Sequence, residues 1–286
     1  MEGRGLKRAA ALFLASAATL AAAEDARWYL QVDNDVAFAT DRWYSSGVRI
    51  ARVSGPFEWG LVQEVYTPDA KHWEPGVSDR RPVGRLLASF ALHDRGAAHF
   101  QTLELAAGVR GPAALGRQAT EAIHRLVPAP EVDWSRQLEN RFDGQLAAVR
   151  SQSLGSDRVK AHVGAVLGSD VAFAHGGIEL RAGASEAASS QLLRFAPTPP
   201  WTGAHGFSAM LGASARAVGR NALLTGNYDP FGPGISRRRS VVRLATGVSW
   251  SQPWGAVTFE LAQDSREFDA QSAPHRFGSL ALHVAF

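Results

Sequence analysis

The final eight residues, Ser279-Leu280-Ala281-Leu282-His283-Val284-Ala285-Phe286, decide the fold class. Leu280, Leu282, Val284 and Phe286 fall on one face, and Ser279, Ala281, His283 and Ala285 on the other. Successive strand side chains point to opposite sides of a sheet, so this is a strand with one apolar face and one small or polar face. The pattern recurs upstream. Val257, Phe259 and Leu261 alternate with Thr258, Glu260 and Ala262. Val242, Leu244, Val248 and Trp250 oppose Arg243, Ala245, Gly247 and Ser249, and Leu103, Leu105 and Val109 oppose Thr102, Glu104 and Arg110. The runs have the length of a tilted membrane strand, about 9–11 residues. A charge facing lipid near the midplane is costly, so Arg243 and Glu104 are expected to point into a lumen.

Collecting such runs predicts strands near 27–35, 44–54, 57–66, 83–93, 98–110, 140–154, 157–169, 171–183, 206–225, 240–251, 254–267 and 276–286. They number twelve, an even count, as single-chain bacterial barrels require. The fold class read from this is all-β, a transmembrane antiparallel β-barrel, with a soluble two-sheet sandwich as the alternative that also alternates. Short turns such as Ser54-Gly55-Pro56 and Pro253-Trp254-Gly255 fall at the end that carries both termini, the expected periplasmic end. The long connections 36–43, 67–82, 111–139 and 226–239 fall at the opposite, outer end. The segment 184–205, with Pro197, Pro199 and Pro200, is a long connection at the short-turn end, which alternation does not explain.

The N-terminus is consistent with export to such a membrane. Arg4, Lys7 and Arg8 precede an apolar stretch from Ala9 to Leu20 and the small residues Ala21-Ala22-Ala23, a signal-peptide pattern over 1–23. The apolar run is shorter than the ~20 residues of a membrane-spanning helix. The barrel domain is then 24–286, and the terminal strand ending on Phe286 resembles the signature read by barrel-assembly machinery. The 286-residue chain has no cysteine, which excludes a disulfide scaffold and a thiolate metal site. Its formal charge is +3, carried mainly by scattered arginines. Nucleic acid is a poor partner for that pattern, whereas arginine grips phosphate in bidentate fashion, so outer-membrane lipids and lipopolysaccharide headgroups fit better. The sequence does not specify an oligomeric state, and a monomer is one option.

One segment departs from plain barrel architecture. Gly116 to Leu126 is rich in helix formers, with Gly111-Pro112 before it and Pro128 after, which predicts a short helix inside an outer loop. Ala119, Ile123 and Leu126 share one face, and Thr120 and His124 lie four residues apart along a neighbouring edge. Polar residues gather where the outer loops begin. Strand one ends in Asp33-Asn34-Asp35, the chain turns at Thr40-Asp41-Arg42, and it returns through Tyr44-Ser45-Ser46-Gly47. Tyr66-Thr67-Pro68, Asp79-Arg80-Arg81-Pro82 and the stretch from Trp134 through Gln137-Leu138-Glu139-Asn140-Arg141 follow. Carboxylate, amide and hydroxyl oxygens suit a hard cation such as Ca²⁺, and Asn34, Asp35 and Ser45 could converge on one. The same residue types also make hairpin turns, and a lone histidine on a loop helix is often an ordinary surface residue.

The ordered set Asn34-Asp35, Tyr44-Ser45, Gly47, Tyr66-Thr67-Pro68, Asp79-Arg80, Gly111-Pro112, His124, Trp134 and Gln137-Leu138-Glu139-Asn140-Arg141 resembles the outer-membrane lipid A 3′-O-deacylases. That resemblance implies a twelve-stranded barrel that removes the 3′-linked acyloxyacyl chain from lipid A with Ca²⁺ as cofactor. It places His124 as the group that activates water, Asn34, Asp35 and Ser45 at the catalytic and metal centre, and Lys71, Arg80 and Thr120 at substrate. The chain departs from the family pattern in three places. Thr120 stands where the family usually has Gln. An acid expected shortly after the histidine falls on Pro130 or, with one gap, Glu131. Arg81-Pro82-Val83-Gly84 follows Asp79-Arg80 where a Pro and an aromatic are common. Two other functions stay open at this point: a Ser45–His124 lipid esterase or phospholipase, although no Gly-x-Ser-x-Gly elbow supports it, and a non-enzymatic pore or scaffold.

Overall fold

A computed structural model describes residues 26–69, 79–126, 129–183, 190–197, 205–225 and 235–285. They form a closed antiparallel barrel in which every strand pairs with its two sequence neighbours and β1 (Arg27–Asn34) pairs with β12 (His275–Ala285). Between them run β2 (Trp43–Ser54), β3 (Phe57–Thr67), β4 (Val83–Arg95), β5 (His99–Arg110), β6 (Arg141–Ser153) and β7 (Val159–Gly168). The circuit is completed by β8 (Val171–Gly183), β9 (Gly206–Asn221), β10 (Ser240–Gln252) and β11 (Gly255–Asp264). Closure leaves no edge strand, so every wall residue can satisfy its backbone inside the sheet, which is the condition for crossing lipid. The twelve expected strands are all present. Residues 1–23, expected to be a signal peptide, and Phe286 lie outside the described residues.

The two faces follow the alternation. Leu103, Leu105, Val242, Leu244, Val248, Phe259 and Leu280 are exposed on the outer wall. Arg243, Glu104, Ser279, His283 and Arg110 are buried inside. Lumenal charges come in compensating sets. Arg49 bridges Glu58 and Glu104, each at 2.7 Å, and Arg243 Nε lies 2.5 Å from Asp264. Arg85 joins Glu64 and Asp143. Near the end that carries the termini, Trp28, Phe207, Trp250 and Trp254 are exposed on the outer wall, where Phe207 stacks on Trp250 and Trp254 meets it edge-on. Such a girdle suits a membrane interface, where an apolar ring can carry a polar tip.

Two expectations are corrected. The ninth strand stops at Asn221 rather than running to 225, because the Asn221 side chain accepts from Leu224 N and starts a helical turn, Ala222–Thr225, whose Ala222, Leu223 and Leu224 are buried. The unexplained β8–β9 connection contributes a plug. Its described part, 190–197, holds a helical turn (Gln191–Arg194) whose four residues are all buried. They are fixed to the wall by polar contacts. Ser190 Oγ donates to Glu260 (2.5 Å), Arg243 donates to Leu192 O (3.0 Å), and Tyr29 OH bonds Gln191. A long connection at the short-turn end thus has a physical reason: it fills the barrel interior, where buried charges need partners and open space would leave them unpaired.

Candidate active site at the outer loops

The β5–β6 connection rises from the wall and folds back over it. Gly111, at φ +98°, donates its N–H to Gly84 O, and its backbone lies so close to Glu139 and Asn140 that a Cβ there would sit 2.6 Å from them. Asn140 Oδ1 accepts from Ala113 N (2.7 Å), and Leu138 N donates to Pro82 O (3.0 Å). The Trp134-to-Arg141 stretch therefore clamps both roots of the loop. Above it lies α1 (Gly116–His124), two residues shorter than expected. Its backbone touches the β4 backbone directly, because a Cβ on Gly116 would fall 2.7 Å from Gly84 Cα, and Trp134 closes the same contact from the side at 3.5 Å. The helix seats its Gly116–Thr120 edge, with both residues buried, while on the shared apolar face Ala119 and Ile123 are half-buried. Leu126 is 85 % exposed. Glycine decides the docking here, since backbone-to-backbone contact needs a face without side chains.

Docked in this way, α1 faces the ends of β1 and β2. A single small cleft is lined by Asn34, Asp35, Thr40, Asp41, Ser45, Ser46, Thr120 and His124, together with Val36, Ile123 and Ala129. Five expected site residues thus come together from three stretches of chain. Asn34 pairs with Ser46 across β1 and β2, and Ser45 sits at a break in register between Tyr44 and Ser46. A bulge of this kind re-aims a side chain out of strict alternation, which is how Ser45 and Ser46 come to line the same cleft. Ser45 Oγ lies 3.0 Å from Thr67 Oγ1.

Asp35 is buried and organises the first loop. Its Oδ2 accepts from Thr40 Oγ1 (2.8 Å) and from Arg42 N (3.0 Å), and the Arg42 guanidinium turns away to Asp69 (2.5 Å). Burial raises its pKa to about 7, against the pull of those hydrogen bonds. Asn34 Oδ1 accepts from Val36 N (2.7 Å), so the turn-forming role of these residues is present as well. Thr120 Oγ1 donates to Gly116 O (3.0 Å), which commits its proton to the helix.

His124 is mostly shielded, with 19 % of its side chain exposed, and its Nε2 lies 3.0 Å from Asp41 Oδ2. Asp41 reads in the sequence as part of a turn. Nothing in its neighbours signals that an acid in the first loop meets a histidine more than eighty residues on. Glu131, the nearest acid after the histidine, is exposed and is not part of the cleft. Arg80 also lies elsewhere. It is buried with its guanidinium 4.5 Å over the Tyr66 ring and 3.6 Å from Glu267, at the lumenal mouth rather than the cleft, because Tyr66 belongs to the inward face of β3. Lys71 lies outside the described residues. A larger cavity, of about 240 Å³, occupies the lumen among Arg216, Arg243, Asp264 and the plug, but none of the expected catalytic residues lines it.

Among solved structures, the chain is similar to "LpxR from Salmonella typhimurium", with 18 % identity over 91 % of this chain and 100 % of that one and a TM-score of 0.75. Two further barrels superpose poorly. They are OprB of Pseudomonas putida (9 % identity, 86 % of this chain and 61 % of that one, TM-score 0.31) and the channel DcaP of Acinetobacter baumannii (11 %, 91 % and 72 %, TM-score 0.30). No curated protein matches the chain. The family model described as "Outer membrane protein LpxR" matches residues 8–286. The chain therefore belongs to the LpxR family of outer-membrane proteins.

Proposed function

We propose that this protein is a hydrolase that removes the 3′-linked acyloxyacyl chain from lipid A, with His124 drawing a proton from water. The observation that carries the reading is the convergence of Asn34, Asp35, Ser45, Thr120 and His124 on one cleft under the loop helix. Family membership supports a lipid A substrate and an outer-membrane location. An uncharged imidazole is a competent general base for drawing a proton from water.

Calcium belongs to the same proposal, and the donor set suits it. Asp35 supplies a buried carboxylate whose hydrogen-bond donors are a hydroxyl and a backbone N–H rather than a cationic side chain. Asn34 and Ser45 add an amide and a hydroxyl oxygen beside it. Oxygen donors with a single negative charge favour a hard divalent ion bound weakly, in the range of about 0.1–1 mM typical of extracellular modules. When bound, such an ion supplies Lewis-acid polarisation of the ester carbonyl.

The competing functions fare less well. Ser45 Oγ is engaged by Thr67 and Val65 O, and among the described residues no hydrogen bond joins it to the His124 ring, so the two do not form a nucleophile–base pair here. An open pore is opposed by the buried plug. The test is mass spectrometry of lipid A from a host producing the chain. Loss of one acyloxyacyl unit is expected with wild type and not with His124→Ala. Unchanged lipid A with a fully assembled wild-type barrel would refute the reading.

A further inference from the structure

The proposed base needs one ring nitrogen free and the other held, and the first loop supplies the holder. We infer that Asp41 is the positioning residue of His124: its carboxylate faces Nε2 at 3.0 Å and leaves Nδ1 as the nitrogen that takes the proton. The inference rests on the hydrolase reading for its consequence, but its geometry stands independently of it.

Three observations carry it. First, both partners are largely withdrawn from water, with 19 % and 13 % of their side chains exposed, and Asp41 Oδ2 itself is shut off from solvent. The 3.0 Å contact is an ion-pair distance rather than an aligned hydrogen bond; because an ionised carboxylate only accepts, it favours the tautomer with N–H at Nε2 and the lone pair on Nδ1. No hydrogen bond to Nδ1 is made among the described residues. Second, Asp41 stands on a fixed backbone. Thr40 and Arg42, on either side of it, both donate to Asp35 Oδ2, and the Arg42 side chain is tied to Asp69. Third, the position after the histidine where the family resemblance expects an acid is Pro130, and Glu131 beside it is exposed. A carboxylate from a different loop reaches the ring instead.

In the reaction, Nδ1 takes one proton from water as the water oxygen bonds to the ester carbonyl carbon. It returns that proton to the departing sugar oxygen as the C–O bond breaks. The products are the sugar hydroxyl and the freed acid, and no proton stays on the ring. Between the two transfers the imidazolium sits against the ionised Asp41, which stabilises it without itself being protonated.

The test uses the full chain in detergent micelles with ¹⁵N-labelled histidine, the His124 signals being identified by their loss in His124→Ala. Wild type should show the Nε2–H tautomer, and Asp41→Asn, whose amide can donate as well as accept, should lose that single tautomer. With lipid A and saturating Ca²⁺, Asp41→Asn should lower kcat by about 10²-fold with little change in KM, and Asp41→Glu should recover part of the loss. An Nδ1–H tautomer in wild type, or wild-type kcat in Asp41→Asn, overturns the inference. So does a defect that higher Ca²⁺ abolishes, which would make Asp41 a cation ligand. A wild type that hydrolyses nothing yet shows the Nε2–H tautomer refutes the hydrolase reading and leaves the Asp41–His124 geometry standing.

Discussion

Replacing Gly116 by alanine separates the position of the loop helix from its stability. A Cβ there would meet Gly84 Cα at 2.7 Å and Gly84 N at 3.0 Å, both backbone atoms of a barrel strand that cannot move aside. Ordinary contact begins at 3.4 Å, so the helix must lift by about 0.7 Å at its first residue. Helix propensity works the other way, since alanine favours the helix over glycine by up to about 1 kcal/mol. The helix should therefore persist while His124, at its far end, is displaced from Asp41 and from the cleft. A shift approaching 1 Å at a reacting group can cost about 10²-fold in rate. The expected result is a fall of about 10- to 100-fold in lipid A deacylation with unchanged heat-modifiable migration of the barrel. Gly84→Ala, whose Cβ would meet Gly116 N at 2.7 Å, should give the same defect, and the two together should be less than additive. Wild-type turnover in either single variant would show that this contact does not set the histidine's position.

Further outcomes follow from other parts of the structure. Chelation with EGTA should silence wild-type deacylation reversibly, with activity returning as Ca²⁺ rises toward about 1 mM; undiminished turnover in EGTA would remove the cation from the proposal. Arg49→Ala strands Glu58 and Glu104 without their shared cation. Leaving a buried charge uncompensated should cost about 3–5 kcal/mol, read as a lower urea midpoint for barrel unfolding. Deleting 185–204 removes the buried Gln191–Arg194 turn and should convert a non-conducting barrel into one that passes ions in planar bilayers. Conductance in the intact chain would contradict the plugged lumen.

The barrel was legible because lipid imposes one rule on every strand. Alternation in Leu280, Leu282 and Val284 reports a wall with lipid on one side, and the same rule sends Arg243 and Glu104 inward. Antiparallel neighbours bring the end of β1 beside the start of β2, so the approach of Asn34, Asp35 and Ser45 could be read as well. Elements outside the wall obey no such periodicity. The Gly116–Thr120 edge docks because Gly116 lets the two backbones touch, and the shared apolar face of Ala119, Ile123 and Leu126 does not mark it, since Leu126 lies in the open. The plug mixes Leu192 and Leu193, which pack against Phe277, with Ser190 and Gln191, which meet lumenal polar groups, a combination without strand or helix periodicity to mark it as buried.

Asp41 and Arg80 show the limit most sharply. Each is one charged residue beside a turn, and which way it faces depends on what another loop places over it. For Arg80 that is Tyr66 and Glu267, which draw it to the lumenal mouth and away from the cleft. For Asp41 it is a helix that reaches the β1 end only because two glycines let the backbones touch. A site assembled across loops is thus specified jointly. The docking glycines, the Asp35-anchored turn and the Trp134 clamp must all be present before the Asp41–His124 contact exists, and neither the glycines nor Trp134 carries chemistry of its own.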